Sequence, residues 1–377
     1  MLYTTLLSPY FFTLQLIRKR TTGIRWFAAF LLIYDAIHLF QGVQTTSFLI
    51  SNGLFIATYF TVVSAYHFIN GYEGLPKLFR QILVFNACLT VVALPFYFME
   101  PALQDWMWWV NRSAPGATEY PRLKLFTYEA SYYSLLFVPV AYYYLFKLLF
   151  RQVQQSHLIT LLFTLVPLIL SMSFGVIGAS LLSAMCLLLY FRKQLFRFRR
   201  AMTITFGVSA ALLITTLLMM WLFPGSPIVI RIFNVLKGMD TSANGRISDS
   251  LSIAWRISEL KSIWFGAGLG QVKVQIVELI RQYYNYWGHF ARYDIPNTIG
   301  ETLAIFGISG VLVRLGLELY FFRKTKVWTN YYRLALFIFV FVYQFTGSFI
   351  TNIAEYTIWI LAFSDIFPQF NTLAKRQ

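Results

Sequence analysis

Apolar runs of nearly constant length recur along the chain and are separated by shorter polar segments. An α-helix needs ~20 such residues to cross the hydrocarbon core of a bilayer. The pattern predicts an all-α polytopic membrane protein with about ten spans. An eleventh, over residues 2–17, is the alternative to an interfacial helix there. The predicted spans are 24–42, 46–68, 81–98, 126–146, 157–171 (a short one), 174–191, 201–222, 299–321, 331–350 and 353–370.

Composition agrees with this pattern. Hydrophobic residues make up 58% of the chain and charged residues 12%, whereas soluble domains carry about 25% charged residues. The two cysteines fall in different apolar runs, which predicts neither a disulfide framework nor a metal cluster. We therefore expect residues 1–377 to form a single integral membrane domain with no cofactor.

The net charge of +16 is explained by topology. Of the 31 Lys and Arg residues, 19 lie in alternate short segments on one side of the predicted spans. Because positive residues in short loops stay in the cytoplasm, both termini are predicted there. A basic charge with that distribution argues against nucleic acid as a partner and for membrane lipids.

Two polar segments on the other, non-cytoplasmic side are too long to be simple connections. The first is 99–125, whose tryptophan cluster is expected at the headgroup layer. The second is 223–298, between spans 7 and 8, and loops of that length are usually functional. Helical periodicity predicts amphipathic helices from 248 to 263 and from 272 to 284.

The sequence FGAGLGQ interrupts those two helices. Its glycines could let backbone N–H groups approach a phosphate, or could form a plain turn. The same segment carries Arg246 and Arg256, and a planar guanidinium can bind two oxygens of a diphosphate at once. The glycines concerned are Gly266, Gly268 and Gly270.

Ionisable residues inside apolar runs are candidates for function because burying them in lipid is costly. Asp35 and His38 lie one turn apart and are expected to pair. Glu129 opens the fourth span, close in sequence to Arg122. Further positions of this kind are Glu301, Arg314 and Glu355, with Glu318 and Asp365 expected at the membrane interface.

Four segments in order resemble the conserved elements of bacterial Wzy-type polysaccharide polymerases and the related O-antigen ligases. They cover most of residues 120–320. Arg122 with Glu129-Ala130-Ser131 is similar to the family's "R…EPS" element, although Ala130 stands where the family often has Pro. The others are the serine-bearing span 170–191, the segment NGRISDSLSIAWRISELKSIWFGAGLG, and the segment IPNTIGETLAIFGISGVL, which aligns Asn297, Glu301, Gly307 and Gly310.

The resemblance implies a C-type glycosyltransferase-like fold in the bacterial inner membrane, with 99–125 and 223–298 as periplasmic loops and the active site facing the periplasm. The implied reaction joins undecaprenyl-diphosphate-linked oligosaccharide repeat units, donor and acceptor, into a long polysaccharide. Undecaprenyl diphosphate leaves, and no metal takes part. A chain-length regulator and a flippase are the candidate protein partners.

In this scheme Arg246 and Arg256 hold the diphosphate, and Arg122 is a third candidate. The base is expected to be Glu129, with Glu301, Asp294 and His289 as alternatives. The ligase histidine is missing, because Pro296 precedes Asn297. This favours a polymerase over an O-antigen-type ligase, and a lipid-linked sugar flippase is the alternative from another class.

Overall fold

The computed structural model describes residues 23–110, 121–150, 156–190, 241–284 and 294–371, together with isolated positions elsewhere. Most of the predicted span 201–222 lies outside the described residues. The helices are α1 (Ile24–Phe40), α2 (Thr45–Gly71), α3 (Leu75–Phe96), α4 (Pro101–Met107), α5 (Ala130–Leu149), α6 (His157–Ser171), α7 (Phe174–Tyr190), α8 (Thr241–Arg246), α9 (Ser248–Glu259), α10 (Val272–Tyr284), α11 (Thr298–Lys324), α12 (Tyr331–Tyr343) and α13 (Ile353–Phe363).

Four of these helices, α2, α3, α5 and α11, are long and apolar enough to cross a membrane. Helices α6, α7, α12 and α13 are apolar but shorter. Large apolar side chains remain exposed along α2 and α3, for example Leu49, Ile50, Phe85 and Val91. Exposing apolar surface of that extent on a monomer is unfavourable in water, whereas lipid tails can cover it. The chain is an all-α membrane protein, as predicted, and the number of spans stays a prediction.

The described chain divides into two compact units. The first contains 1–72, 242–327 and 340–366. The second contains 73–241, 328–339 and 367–377. The prediction of one membrane domain over 1–377 stays a prediction, and each unit is described by itself.

In the first unit, the amphipathic helices of the 223–298 segment pack on α11. Helix α9 buries Ile253, Ala254 and Ile257, and α10 buries Ile276 and Ile280, in one apolar cluster. Both helices were predicted from periodicity, and α10 has the predicted bounds. Helix α9 ends at Glu259 rather than at 263, because the chain turns there into the glycine-rich segment.

Helix α11 is broken at Gly307. This residue has φ 68° and ψ −166°, a conformation outside the helical region, and a positive φ is open to glycine without strain. The 27-residue helix is therefore two helical halves joined at one glycine. The sequence showed an uninterrupted apolar run and gave no sign of this break.

The second unit contains α5, which was predicted as the fourth span, and a short antiparallel pair β1 (Trp108–Trp109) and β2 (Arg122–Leu123). Trp108 is 2% exposed, and its Nε1 donates to Ala93 O at 2.7 Å. Trp108 therefore belongs to an apolar core of the protein, and the position of the tryptophan cluster at the headgroup layer stays a prediction. Trp106 in the same segment is exposed.

Candidate functional site

The start of α11 is organised by a buried asparagine. Asn297 is the N-cap of the helix and accepts a hydrogen bond from Gly300 N. Its Nδ2 donates to the Arg246 carbonyl and to Ser250 Oγ. Ser250 Oγ also donates to the Arg246 carbonyl, at 2.7 Å. Asn297 thus fixes the backbone of Arg246, at the end of α8, against the first turn of α11.

Glu301 lies one turn after Asn297 on the same helix. Its Oε2 accepts a hydrogen bond from Ile350 N at 2.6 Å, and its side chain is partly buried. Lys273 and Asp294 form an ion pair at 3.7 Å and are mostly exposed. Both lie within electrostatic range of Glu301. The carboxyl of Glu301 is therefore held at the start of α11, within electrostatic range of the Lys273–Asp294 ion pair.

The first N–H groups of α11 are all used within the protein. Thr298 N donates to Gly347 O and Ile299 N to Gln344 O, both at 3.2 Å, while Asn297 accepts from Gly300 N. An anionic ligand would find no free donor among these three groups. A diphosphate near this helix end would have to rely on basic side chains.

Arg256 lies on the exposed face of α9, and its guanidinium stacks over the Tyr283 ring at 5.2 Å. The Tyr283 hydroxyl contacts Asp249 Oδ1 at 3.3 Å. Arg246 and Arg256 belong to the same unit as Asn297, Glu301 and Asp294. The structure thus brings five of the predicted site residues into one compact unit.

The glycine-rich segment is tied to the break in α11 by main-chain hydrogen bonds. Ala267 N donates to Ala304 O at 2.8 Å, and Gly268 N to Ile305 O at 3.1 Å. In return, Ile308 N donates to Ile263 O at 2.9 Å and Ser309 N to Trp264 O at 3.1 Å. We call this set of bonds between 263–268 and 304–309 the clasp. It satisfies the polar groups that the break leaves without helical partners.

The three predicted phosphate-binding glycines have a structural explanation in this arrangement. Each has a positive φ. A Cβ on Gly266 would overlap the Ile305 carbonyl, and one on Gly270 would overlap the Ser47 carbonyl. The close backbone approach is therefore to the protein's own backbone. Phosphate binding by this segment stays a prediction.

A second group of polar residues is buried around the Glu355 carboxylate. Glu355 accepts hydrogen bonds from Arg314, from Thr298 Oγ1 at 2.8 Å and from Trp359 Nε1 at 3.4 Å. Thr298 and Arg314 are sixteen positions apart, a separation of about 24 Å in a straight helix. Because both contact one carboxylate, the break at Gly307 bends the two halves of α11 towards each other.

Arg314 also pairs with Glu318 at 3.1 Å and donates to Gln344 Oε1 at 2.8 Å. The Glu318 side chain is 8% exposed. Its partners draw Glu318 into the protein interior, and its expected position at the membrane interface stays a prediction. The spacing of Arg314 and Glu318 was a sequence signal for their pairing. Nothing in the sequence connected them to Glu355 or Gln344.

The expected pairing of Asp35 with His38 is not made through their buried atoms. His38 is fully buried, and its Nε2 lies 3.1 Å from Phe265 O. Asp35 Oδ1 and His38 Nδ1 are buried and have no hydrogen-bond partner. The histidine instead fixes the glycine-rich segment against α1. Nearby, Lys261 Nζ donates to Gly42 O, and partial burial lowers the pKa of Lys261.

Arg122 and Glu129 belong to the second unit. Arg122 Nε donates to Ser171 O at 3.1 Å, and the guanidinium lies 5.2 Å from the Trp109 ring centre. Glu129 is the N-cap residue of α5 and accepts a hydrogen bond from Ser131 Oγ at 2.6 Å. The sequence motif that joins them therefore corresponds to a strand and a helix start within one unit.

His289 lies outside the described residues. Among the residues that the structure does describe, no group of three or more His, Cys, Asp or Glu side chains could hold a metal ion. Metal independence of the reaction stays a prediction.

Comparisons with known proteins were negative: no protein-family model matches the chain, and no curated protein matches it. Fold and site together define an all-α membrane protein with a broken helix and two polar centres beside it. These centres are the Asn297–Glu301 end of α11 and the buried Arg314–Glu355 group.

Proposed function

We propose that this protein is a membrane glycosyltransferase of the Wzy type, which polymerises undecaprenyl-diphosphate-linked oligosaccharides at the periplasmic face of the bacterial inner membrane. The observation that carries the proposal is the hydrogen bonding of Asn297 to Arg246, one turn from Glu301. It holds the main chain of Arg246, from the 223–298 segment, at the helix end that carries the Glu301 carboxyl. Two of the four resembling segments, the one with Arg246 and the one with Asn297 and Glu301, contribute to that end.

In the proposed reaction, the acceptor hydroxyl attacks the anomeric carbon of the donor sugar. A new glycosidic bond forms, and the bond to the diphosphate breaks, with undecaprenyl diphosphate keeping the bonding electrons. The hydroxyl proton passes to a carboxylate, and inversion is expected. Arg246 and Arg256 neutralise the charge that grows on the leaving diphosphate. This electrostatic stabilisation is strongest in a site from which water is excluded.

We propose Glu301 as the general base. One of its oxygens is fixed by the Ile350 N–H, which orients the carboxyl without neutralising it. A base needs this kind of positioning within hydrogen-bond reach of the reacting hydroxyl. Asp294 is mostly exposed and paired with Lys273, which makes it a weaker candidate. Glu129, the base expected from the sequence, lies in the other unit and becomes the alternative.

The test uses the purified full-length protein in detergent, with its undecaprenyl-diphosphate-linked repeat unit and with metal removed by a chelator. Products are separated on a gel that resolves glycan length. The proposal expects a ladder of chain lengths and release of undecaprenyl diphosphate. Glu301→Gln should lower the rate of ladder formation by about 100-fold or more, as expected for removal of a general base. Glu278→Gln, an exposed residue on α10, is the matched control.

A ladder of normal rate from folded Glu301→Gln, together with no ladder from Glu129→Gln, would move the base to Glu129. An unchanged substrate with folded wild-type protein would contradict polymerisation itself. The same gel with an added lipid A core acceptor, which carries no undecaprenyl diphosphate, tests the O-antigen-type ligase.

One observation favours a second candidate, a flippase for lipid-linked sugars. Broken helices with buried charged residues near the break are typical of secondary transporters, and α11 has both features. Reconstituted vesicles with labelled lipid-linked oligosaccharide in the inner leaflet separate the two activities. Appearance of label outside, with chain length unchanged, would favour the flippase over the polymerase.

A further inference from the structure

The buried group around Arg314 is unbalanced in charge. The side chains of Arg314, Glu318 and Glu355 are 14%, 8% and 1% exposed. One guanidinium faces two carboxyls, so the three groups carry a net negative charge when all are ionised. An uncompensated charge buried in an apolar interior is strongly destabilising.

Among the residues that the structure describes, the other titratable groups facing this cluster do not supply the missing positive charge. Tyr356 on α13 lies close to Arg314, and Glu301 on the first half of α11 adds a further carboxyl near Glu355. Gln344, after α12, is neutral. Lys273 acts on Glu301 only from the exposed rim, where it is already paired with Asp294.

Glu318 is held by weaker donors than Glu355, because one of its contacts is shared. Arg314 Nε carries a single hydrogen, yet it has two acceptors: Gln344 Oε1 at 2.8 Å and Glu318 Oε1 at 3.1 Å. Gln344 Nε2 is already used, because it donates to Glu318 Oε2 at 2.9 Å. One acceptor therefore has to share, although buried acceptors are normally satisfied.

We propose that the cluster binds one proton, on Glu318. The proton neutralises Glu318 and leaves Arg314 balanced by Glu355 alone. Glu355 stays ionised because it receives three hydrogen bonds, from Arg314 and Trp359 on one side and from Thr298 on the other. Glu318 receives one from Gln344 and shares the single Arg314 Nε hydrogen with Gln344 Oε1.

This site differs from the proposed catalytic centre in its residues and its chemistry. It lies between the second half of α11 and α13, and it joins the two halves of the broken helix through Glu355. Protonation is therefore coupled to the bend at Gly307, since loss of the proton restores a net negative charge to the contacts that hold the bend. The proposal does not depend on the polymerase function.

The test is infrared spectroscopy of the purified full-length protein at neutral pH, in H₂O and in D₂O. A protonated carboxyl gives a C=O band that shifts on deuteration, whereas an ionised one does not. We expect this band in the wild-type protein and its loss in Glu318→Gln, which keeps the side-chain volume. Glu355→Gln should also lose it, because Arg314 then pairs with an ionised Glu318. Glu259→Gln, an exposed residue on α9, should keep it.

Absence of the band from the wild-type protein overturns the proposal, and so does a band that persists in both folded cluster variants. Repeating the measurement with sodium, potassium and choline salts tests the alternative ligand. A band that appears only when both metal ions are removed would show that a monovalent cation, rather than a proton, occupies the site. Gel filtration of each variant confirms that it is folded.

Discussion

At the scale of single residues, Asn297 is the side chain whose role changes most once its surroundings are known. The resemblance marked it as part of a site, and the structure shows it to be a buried connector of α8, α9 and α11 with no exposed surface. A role in holding Arg246 explains why an amide is needed. Its oxygen must accept while its nitrogen donates, a combination that a carboxylate lacks.

Asn297→Asp is therefore expected to destabilise the protein by about 1–3 kcal/mol, because the Arg246 carbonyl loses a buried donor. The measurement is the midpoint of thermal unfolding in detergent. Asn70→Asp is the control, since Asn70 is exposed and donates only to Tyr66 O in its own helix. Equal midpoints for the two variants would contradict the connector role.

Arg314→Met should be more damaging, by about 3–5 kcal/mol, because it leaves the ionised Glu355 buried without a positive partner. Arg323→Met, an exposed position near the end of the same helix, should have little effect. Thermal unfolding and the yield of monodisperse protein measure both. If adding Glu355→Gln to Arg314→Met fails to recover stability, the charge balance described above is wrong.

At the scale of elements, the clasp and the break in α11 form one structure. Gly307→Ala is expected to destabilise the protein strongly, because the new Cβ would meet the Trp264 backbone and the positive φ would be strained. Gly316→Ala is the matched control, since nothing lies within 4 Å of its added Cβ. It should stabilise the second half of the helix by up to about 1 kcal/mol.

Gel filtration and thermal unfolding of the two glycine variants, prepared side by side, decide the matter. A Gly307→Ala protein as stable as wild type would mean that α11 can continue as a straight helix. The contacts of Thr298 and Arg314 with Glu355 could not then both be essential. Loss in both variants would point to a general intolerance of α11 to substitution.

At the scale of the whole molecule, the predicted orientation follows from charge. Fusions of a reporter that is active only outside the cytoplasm should be active after residue 237 and inactive after residue 377. A reporter that fluoresces only in the cytoplasm should give the opposite result. The same activity at both positions would contradict the predicted parity of spans between them.

The sequence by itself determined the class of the protein. Apolar runs such as 46–68 and 126–146 are too long and too numerous to stay exposed to water. They therefore specify membrane helices whatever their neighbours are. The amphipathic helices α9 and α10 could be predicted equally well, because the spacing of their apolar residues is a property of a short segment. The basic loops, the candidate arginines and the motif order were likewise properties of short segments.

Only the tertiary structure decided how these parts combine. Gly307 lies in an apolar run that predicts a continuous helix, and its break depends on backbone partners more than thirty residues away, at 263–268. Glu355, on α13, binds residues from both halves of α11, and Asn297 donates a hydrogen bond to the Arg246 carbonyl. Hydrogen bonds and ion pairs of this kind depend on distance in space, which local pattern and propensity do not encode.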